Sequence, residues 1–349
     1  MRAARQRVDD RSPLHVALDD FYDTVVNIQY RRMEAAKIVV WEVERKLKPK
    51  LTELLDIKYN VTLGQNWMYT GSAYEDLKVC NPDEFDIMLP FDMTKHLGKT
   101  HNAVGDHDGE HSPAYAFLYP AVEESKFSSE QDFGYVLDSR KIMKKFQSVL
   151  KQAENGADFH DIDVRIGTAG PAGKVEVRSL TNSYGGRRLK IDLVPAVWIS
   201  HKYYVAKSDK YDYSEGAELK WRVSNSDAEK AAVESAGEEK RKVLKIAKAF
   251  CLLDAPLAVL DSYYLKTVFL HMLDKYKGHW TDTGKYFKLF LDELLRYLRE
   301  KSLPMYLMPR HNLIKNFVNS TSLSNIIGRL GRLLRKGDEA LIKLLDELK

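Results

Sequence analysis

Apolar residues recur at helical spacing near the start of the chain: Leu14, Leu18, Phe21, Val25 and Ile28 follow one another at intervals of four and three. Ser12 is placed to cap a helix and Pro13 to occupy its first turn. The pattern predicts one long helix from Pro13 to about Lys48, which Pro49 ends or kinks. At 1.5 Å per residue it would run roughly 50 Å. The period then changes. In Glu84-Phe85-Asp86-Ile87 and again in Lys190-Ile191-Asp192-Leu193, charged and apolar residues alternate, as in a strand with one buried face. Residues 162–168 and 174–179 read as a hairpin, Val175 and Val177 alternating with Glu176 and Arg178. Beyond about Lys210 strand signals fade. Tyr286, Phe290, Leu294 and Leu298 mark an amphipathic helix, and Leu341, Leu344, Leu345 and Leu348 a shorter one. The pattern predicts an α+β chain in two lobes: residues 1–210 form a mixed-sheet core with the long N-terminal helix, and residues 211–349 form a helical lobe.

The alternation has chemical consequences. Glu84 and Asp86 share one strand face, while Phe85 and Ile87 point into a core. Strand geometry sets the two carboxylates about 6–7 Å apart at Cβ, within reach of a pair of cations about 3.5–4 Å apart. Asp192 stands alone between Ile191 and Leu193, where a charge is costly unless paired or metal-bound. Ahead of the first pair lies Gly71-Ser72, a turn whose glycine lets backbone approach phosphate and whose hydroxyl can donate to it. Singly, each has an ordinary account: a solvated strand face, a hydrogen-bonded structural acid, a chance dipeptide. In this order they point to a nucleotidyl-transfer site, with Glu84, Asp86 and Asp192 as catalytic metal ligands for two Mg²⁺ or Mn²⁺ ions, and Gly71 and Ser72 at the triphosphate.

Composition narrows the setting. The 349 residues are 44% hydrophobic and 30% charged, and no apolar run is long enough to cross a bilayer. The basic opening Met1–Arg7 is followed by no apolar stretch, so no secretory signal is expected. Cys80 and Cys251 lack neighbours at metal-ligand spacing, which excludes a cysteine-built zinc site and suggests reduced thiols in the cytoplasm. A net charge of +4 does not by itself announce nucleic-acid binding. Between Lys95 and Ser112, His96, His101, His107 and His111 lie in a polar loop that reads as a surface insertion or a metal site.

Three blocks carry a family resemblance. They are Thr70-Gly71-Ser72-Ala73-Tyr74-Glu75 with Asn81-Pro82-Asp83-Glu84-Phe85-Asp86-Ile87-Met88; Ile191-Asp192-Leu193; and Trp221-Arg222-Val223-Ser224 followed by the segments 240–249 and 261–267. With them the chain resembles the cyclic GMP–AMP synthase-like receptors of the nucleotidyltransferase superfamily. The resemblance implies a bilobed enzyme that joins ATP and GTP, or two of one kind, into a cyclic dinucleotide. It assigns Arg222 to the nucleotides, Lys248 to phosphate, Glu229 to the acceptor nucleotide, and Ser262 with Tyr263 to base stacking. It also implies activation by a double-stranded nucleic acid, bound by basic residues such as Arg45, Lys46, Lys230, Lys240 and Lys245, with ligand-induced dimerisation possible in such a system. Acids interleave with these basics, which also suits a solvated helix face. Between Asn225 and Lys240 there is no His or Cys. The zinc loop of the vertebrate synthase is thus missing, and no zinc is expected. That departure favours an invertebrate-type receptor and double-stranded RNA over DNA. A non-cyclising enzyme of the oligoadenylate synthetase type and a catalytically silent relative remain as alternatives.

Overall fold

In the computed structural model, Ser12 caps the first helix, α1 (Pro13–Phe21): its side-chain oxygen accepts from the His15 amide, and Pro13 sits in the first turn. The structure describes residues 11–97, 104–105, 114–121, 125–131, 134–159, 162–167, 172–179, 188–207, 216, 219–315, 317 and 321–349. The helix does not run on to Lys48. A π-turn, Tyr22–Val26, leads to an extended Asn27, and a second helix, α2 (Tyr30–Tyr59), begins afresh. The extra residue of a π-turn moves the inward position along by one, so Val26 is buried and Val25 only partly so. Periodicity alone did not register that slip. Pro49 is also not an end: it lies within α2. It is exposed, while Leu47, Leu51 and Leu55 on the inner face are buried. Packing of that face carries the helix across one missing amide donor.

The sheet strands follow: β1 (Thr62–Leu63), β2 (Met68–Thr70), β3 (Glu84–Asp92), β4 (Val104–Gly105) and β5 (Tyr115–Leu118). A separate hairpin, β6 (Ser128–Gln131) with β7 (Gly134–Leu137), leads into helix α3 (Ser139–Gly156), capped by Asp138. Then come β8 (Ile162–Gly167), β9 (Gly173–Ser179), β10 (Arg188–Ile199), β11 (Lys202–Val205) and β12 (Trp221–Ser224). Among the described residues these form a ten-stranded mixed sheet in the order β1-β3-β10-β11-β12-β5-β4, with β2 on β3, and β9 then β8 on β10. The expected hairpin is β8–β9, antiparallel. Among the described residues, the parallel pairing is that of β3 with β10.

One sheet face is core. Phe85, Ile87, Leu89, Ile191, Leu193, Val175 and Val177 are all buried. Helix α3 presses on it closely: a Cβ on Gly173 would meet Phe146 and Leu150 at 2.6 and 2.7 Å, and Phe91 packs edge-on against Phe146.

The remaining helices are α4 (Ser226–Ser235), α5 (Glu238–Leu253), α6 (Ser262–Lys275), α7 (Thr283–Glu300), α8 (Thr321–Lys336) and α9 (Asp338–Glu347). Two compact units emerge: residues 28–231 with 307–311 hold the sheet, and in the unit of residues 1–27, 232–306 and 312–349 the described residues are mostly helical. Within the helical unit, α1 packs on α7 and α9, and α5 on α7 and the π-turn. The lobe boundary expected at residues 210 and 211 falls outside the described residues.

Candidate functional site

The parallel ladder between β3 and β10 sets the site. Its register places Asp192 directly opposite Asp86 and Lys190 opposite Glu84. Directly opposed residues project to the same face, so all three acids emerge on the side away from the buried Phe85, Ile87, Ile191 and Leu193. The first acid-x-acid pair and the distant Asp192 thus form one patch.

Gly71 borders it. β2 pairs antiparallel with β3, Thr70 facing Asp86, and the chain then turns at Gly71 with φ +74°. A Cβ there would lie 2.2 Å from Asp86 Oδ2. Glycine is therefore required twice, for the left-handed backbone and for room beside the carboxylate. The turn after it is folded: the Tyr74 and Glu75 amides donate to Gly71 O, and the Leu77 amide to Ser72 O. Ala73, Leu77 and Val79 are buried beneath it. Tyr69 and Tyr74 tie this region to α2. The Tyr69 hydroxyl donates to buried Glu44, and the two rings lie 4.8 Å apart. Burial, then Glu44, holds the Tyr69 phenol well above its ordinary range.

The patch carries surplus negative charge. Asp86 is pushed up from 3.8 to about 6, chiefly by burial, then by Glu84 and Asp192, with Lys207 and Lys78 pulling the other way. Asp192 is raised for the same leading reason, desolvation, which Lys174 opposes and Glu84 assists. Carboxylates forced together in a partly dry setting, all of them hard oxygen donors, suit divalent cations such as Mg²⁺ or Mn²⁺. Among the described residues no three His, Cys, Asp or Glu side chains are gathered tightly enough to enclose an ion. Glu84 is turned to Lys78, whose Nζ lies 3.4 Å from Oε2.

Residues 73–235 match the Mab-21 protein nucleotidyltransferase domain, and residues 239–331 the Mab-21 protein HhH/H2TH-like domain. The chain is 28% identical to cyclic GMP-AMP synthase-like receptor 3 of Stylophora pistillata, over 97% of this chain and 99% of that one. The chain belongs to the cyclic GMP–AMP synthase-like, Mab-21-type nucleotidyltransferase family. It is also 25% identical to the cyclic GMP-AMP synthase of Mus musculus, over 80% of this chain and 61% of that one. With the mitochondrial dynamics protein MID51 of Danio rerio it shares 24% identity, over 90% of this chain and 68% of that one.

The other residues that the family resemblance assigns fall in both units. In the sheet unit, Arg222 stands on β12 opposite Val205 of β11, which continues outward from β10. Its Nε is buried and has no hydrogen-bond partner among the described residues. Such a donor is costly unless an anion completes it. Glu229 is buried in the first turn of α4. In the helical unit, Lys248 is buried on α5, Ser262 begins α6, and the Tyr263 amide donates to the capping Asp261. Of the basic residues, Arg45 on α2 is exposed and paired with Glu42 at 2.9 Å, and Lys46 lies near the Phe159 ring. Lys230 is on α4. Lys240 stacks over Trp280, and Lys245 is only 7% exposed, with its ammonium 5.8 Å from the Tyr22 ring. The His-rich loop lies largely outside the described residues; His96 bonds the Tyr59 carbonyl at the end of α2.

Sequence reasoning passed over the cations beside the acids. Lys174 sits opposite Asp192 on β9, and Lys78 and Lys207 act on Asp86 from loops. Lys174 could have been found from the alternation with Val175 and Val177. Lys78, between two apolar residues in a loop, gave no periodic signal.

Proposed function

We propose that this family member makes a cyclic dinucleotide from ATP and GTP, or from two of one kind, when a double-stranded nucleic acid engages it, RNA being favoured over DNA. The observation that carries the reading is the pairing of Asp86 with Asp192 across parallel strands, with Glu84 on the same face. Glu84, Asp86 and Asp192 would hold two Mg²⁺ or Mn²⁺ ions, which supply activation of the acceptor hydroxyl and neutralisation of the leaving pyrophosphate. Gly71 keeps backbone close to Asp86, and the turn that follows presents Ser72 for the triphosphate. Arg222 offers its unpaired donor to a phosphate or base edge. Lys248, Ser262, Tyr263 and Glu229 complete nucleotide contacts in the same proposal. The name of the Stylophora relative, a cyclic GMP-AMP synthase-like receptor, supports the ligand-gated part of it. The reading also includes a cytoplasmic setting, in which Cys80 and Cys251 would stay reduced thiols; among the described residues no helix is long and apolar enough to cross a membrane.

The test is product analysis. Protein is incubated with labelled ATP and GTP, Mn²⁺, and a panel of RNA and DNA duplexes, and products are separated by chromatography before and after phosphatase. A phosphatase-resistant dinucleotide that disappears in Asp192→Asn meets the expectation. Linear oligomers would replace the proposal with a non-cyclising enzyme, and no product under any ligand with a catalytically silent relative.

A further inference from the structure

Lys78 is not an ordinary surface lysine. Leu77 and Val79 on either side of it are buried, at 1% and 7% exposure, which pins its backbone to the core. Its side chain is 12% exposed, while the carboxylates it reaches are open: Asp83 is 59% and Glu84 56% exposed. Its Nζ lies 3.1 Å from Asp83 Oδ1 and 3.4 Å from Glu84 Oε2. A largely covered ammonium is therefore shared between one acid of the candidate metal patch and one acid just outside it.

We propose that Lys78 is a positioning residue, an internal counter-cation that competes with a divalent ion for Glu84, with Asp83 as its alternative seat. The inference rests on the reading of Glu84 as a metal ligand. While Lys78 holds Glu84, the three acids present a reduced charge to an incoming ion and one ligand is turned aside. For Glu84 to coordinate, the ammonium must move onto Asp83, and it then remains near a dication that repels it. Divalent-ion binding to the nucleotide-free protein is weak for that reason. A triphosphate brings several negative charges, which offset the repulsion and let ion and lysine coexist. Lys78 thereby makes metal loading depend on nucleotide.

The arrangement predicts opposite signs for two neighbouring substitutions. Lys78→Met removes the competitor but keeps most of the apolar stem, and is expected to tighten Mn²⁺ binding to the nucleotide-free protein about three- to fivefold, the range of a partly exposed ion pair. Asp83→Asn removes the alternative seat and leaves Lys78 on Glu84, so Mn²⁺ binding weakens by a similar factor. Lys78→Arg retains wild-type affinity. The readout is free Mn²⁺ measured by electron paramagnetic resonance on the full chain, with and without a non-hydrolysable ATP analogue. The analogue is expected to improve affinity more in wild type than in Lys78→Met. Unchanged or weakened binding in Lys78→Met, or shifts of the same sign in Lys78→Met and Asp83→Asn, would overturn the proposal. If Lys78→Met does not fold, the exposed Asp83→Asn decides alone: no weakening sinks the idea. Glu84→Gln separates the two readings. If it leaves Mn²⁺ affinity untouched, the metal assignment fails; if it weakens binding while the lysine variants do nothing, only the counter-cation proposal fails.

Discussion

Replacing Asp86 by Asn should make the metal-free protein more stable at neutral and alkaline pH while abolishing nucleotidyl transfer. The carboxyl is raised from 3.8 to about 6 by burial, then by Glu84 and Asp192. An acid whose pKa rises on folding binds its proton more tightly in the folded state, so its ionised form opposes folding. The cost is absent below about pH 4, grows as pH climbs, and is complete above about pH 6. A shift of about two units corresponds to about 3 kcal/mol. Asparagine keeps the volume and removes the charge, but its amide must still be buried. The net gain expected for Asp86→Asn is therefore about 1–3 kcal/mol at pH 8, falling towards zero near pH 4.5. At roughly 2–4 °C per kcal/mol for chains of this size, melting temperature should rise several degrees at pH 8.

The assay is a set of thermal melts of both proteins in EDTA from pH 4.5 to 8.5, repeated with Mn²⁺. The wild type should gain stability with Mn²⁺ and the variant should gain far less, since the ion stabilises only the state that binds it. Transfer activity, measured in parallel, should be lost. The reasoning is refuted if Asp86→Asn is less stable than wild type at pH 8, or if the difference between them does not change with pH. Either result would mean that Asp86 is adequately solvated or paired, and that the crowding of acids is not a real electrostatic cost.

Gly71→Ala places a Cβ 2.2 Å from Asp86 Oδ2 at a φ of +74°, and should cost about 1–3 kcal/mol of stability in urea melts and most of the transfer activity; an active, fully stable variant would contradict the close approach. Arg222→Met removes a buried donor that has no hydrogen-bond partner among the described residues, so steady-state kinetics should show KM for nucleotide rising about tenfold or more with no loss of stability. Arg45→Glu should weaken RNA-duplex binding and lower the slope of log affinity against log salt; an unchanged slope removes α2 from the duplex surface.

The common face of the candidate acids was legible in the sequence where chemistry and periodicity coincide. Glu84 and Asp86 could be assigned to one face because a strand has a period of two, and the flanking Phe85 and Ile87 said which face was dry. Asp192 could be singled out as a charge in an apolar run and grouped with Glu84 and Asp86, but not paired in register, since register between distant strands is a tertiary fact; only the β3–β10 ladder sets it opposite Asp86. The N-terminal helix misled for a related reason. Leu14, Leu18, Phe21 and Ile28 are all buried, so the apolar spacing was sound, yet it could not distinguish one continuous helix from two helices joined by a π-turn. Pro49 misled in the opposite way, as a local penalty overridden by burial of Leu47, Leu51 and Leu55.

The charges around Asp86 and Asp192 differ in how freely they can leave. Lys174 and Lys190 belong to strands β9 and β10, each locked by its ladder, and cannot retreat when an ion or a nucleotide arrives. Lys78 and Lys207 stand on segments outside the ladder strands, and both act on Asp86 from there. On the proposed reading, a site that holds cations and polyphosphate in turn needs both kinds: fixed positive charge to draw the phosphates, and movable positive charge to shield the acids beforehand. If all four lysines were on strands, the acids would be neutralised permanently and their attraction for a dication reduced. If none were, no fixed positive charge would remain to draw the phosphates. Placing part of the counter-charge on Lys78, whose backbone is held by buried Leu77 and Val79, lets the ammonium alone shift between Glu84 and Asp83, so that Glu84 is unmasked without disturbing the turn that presents Ser72.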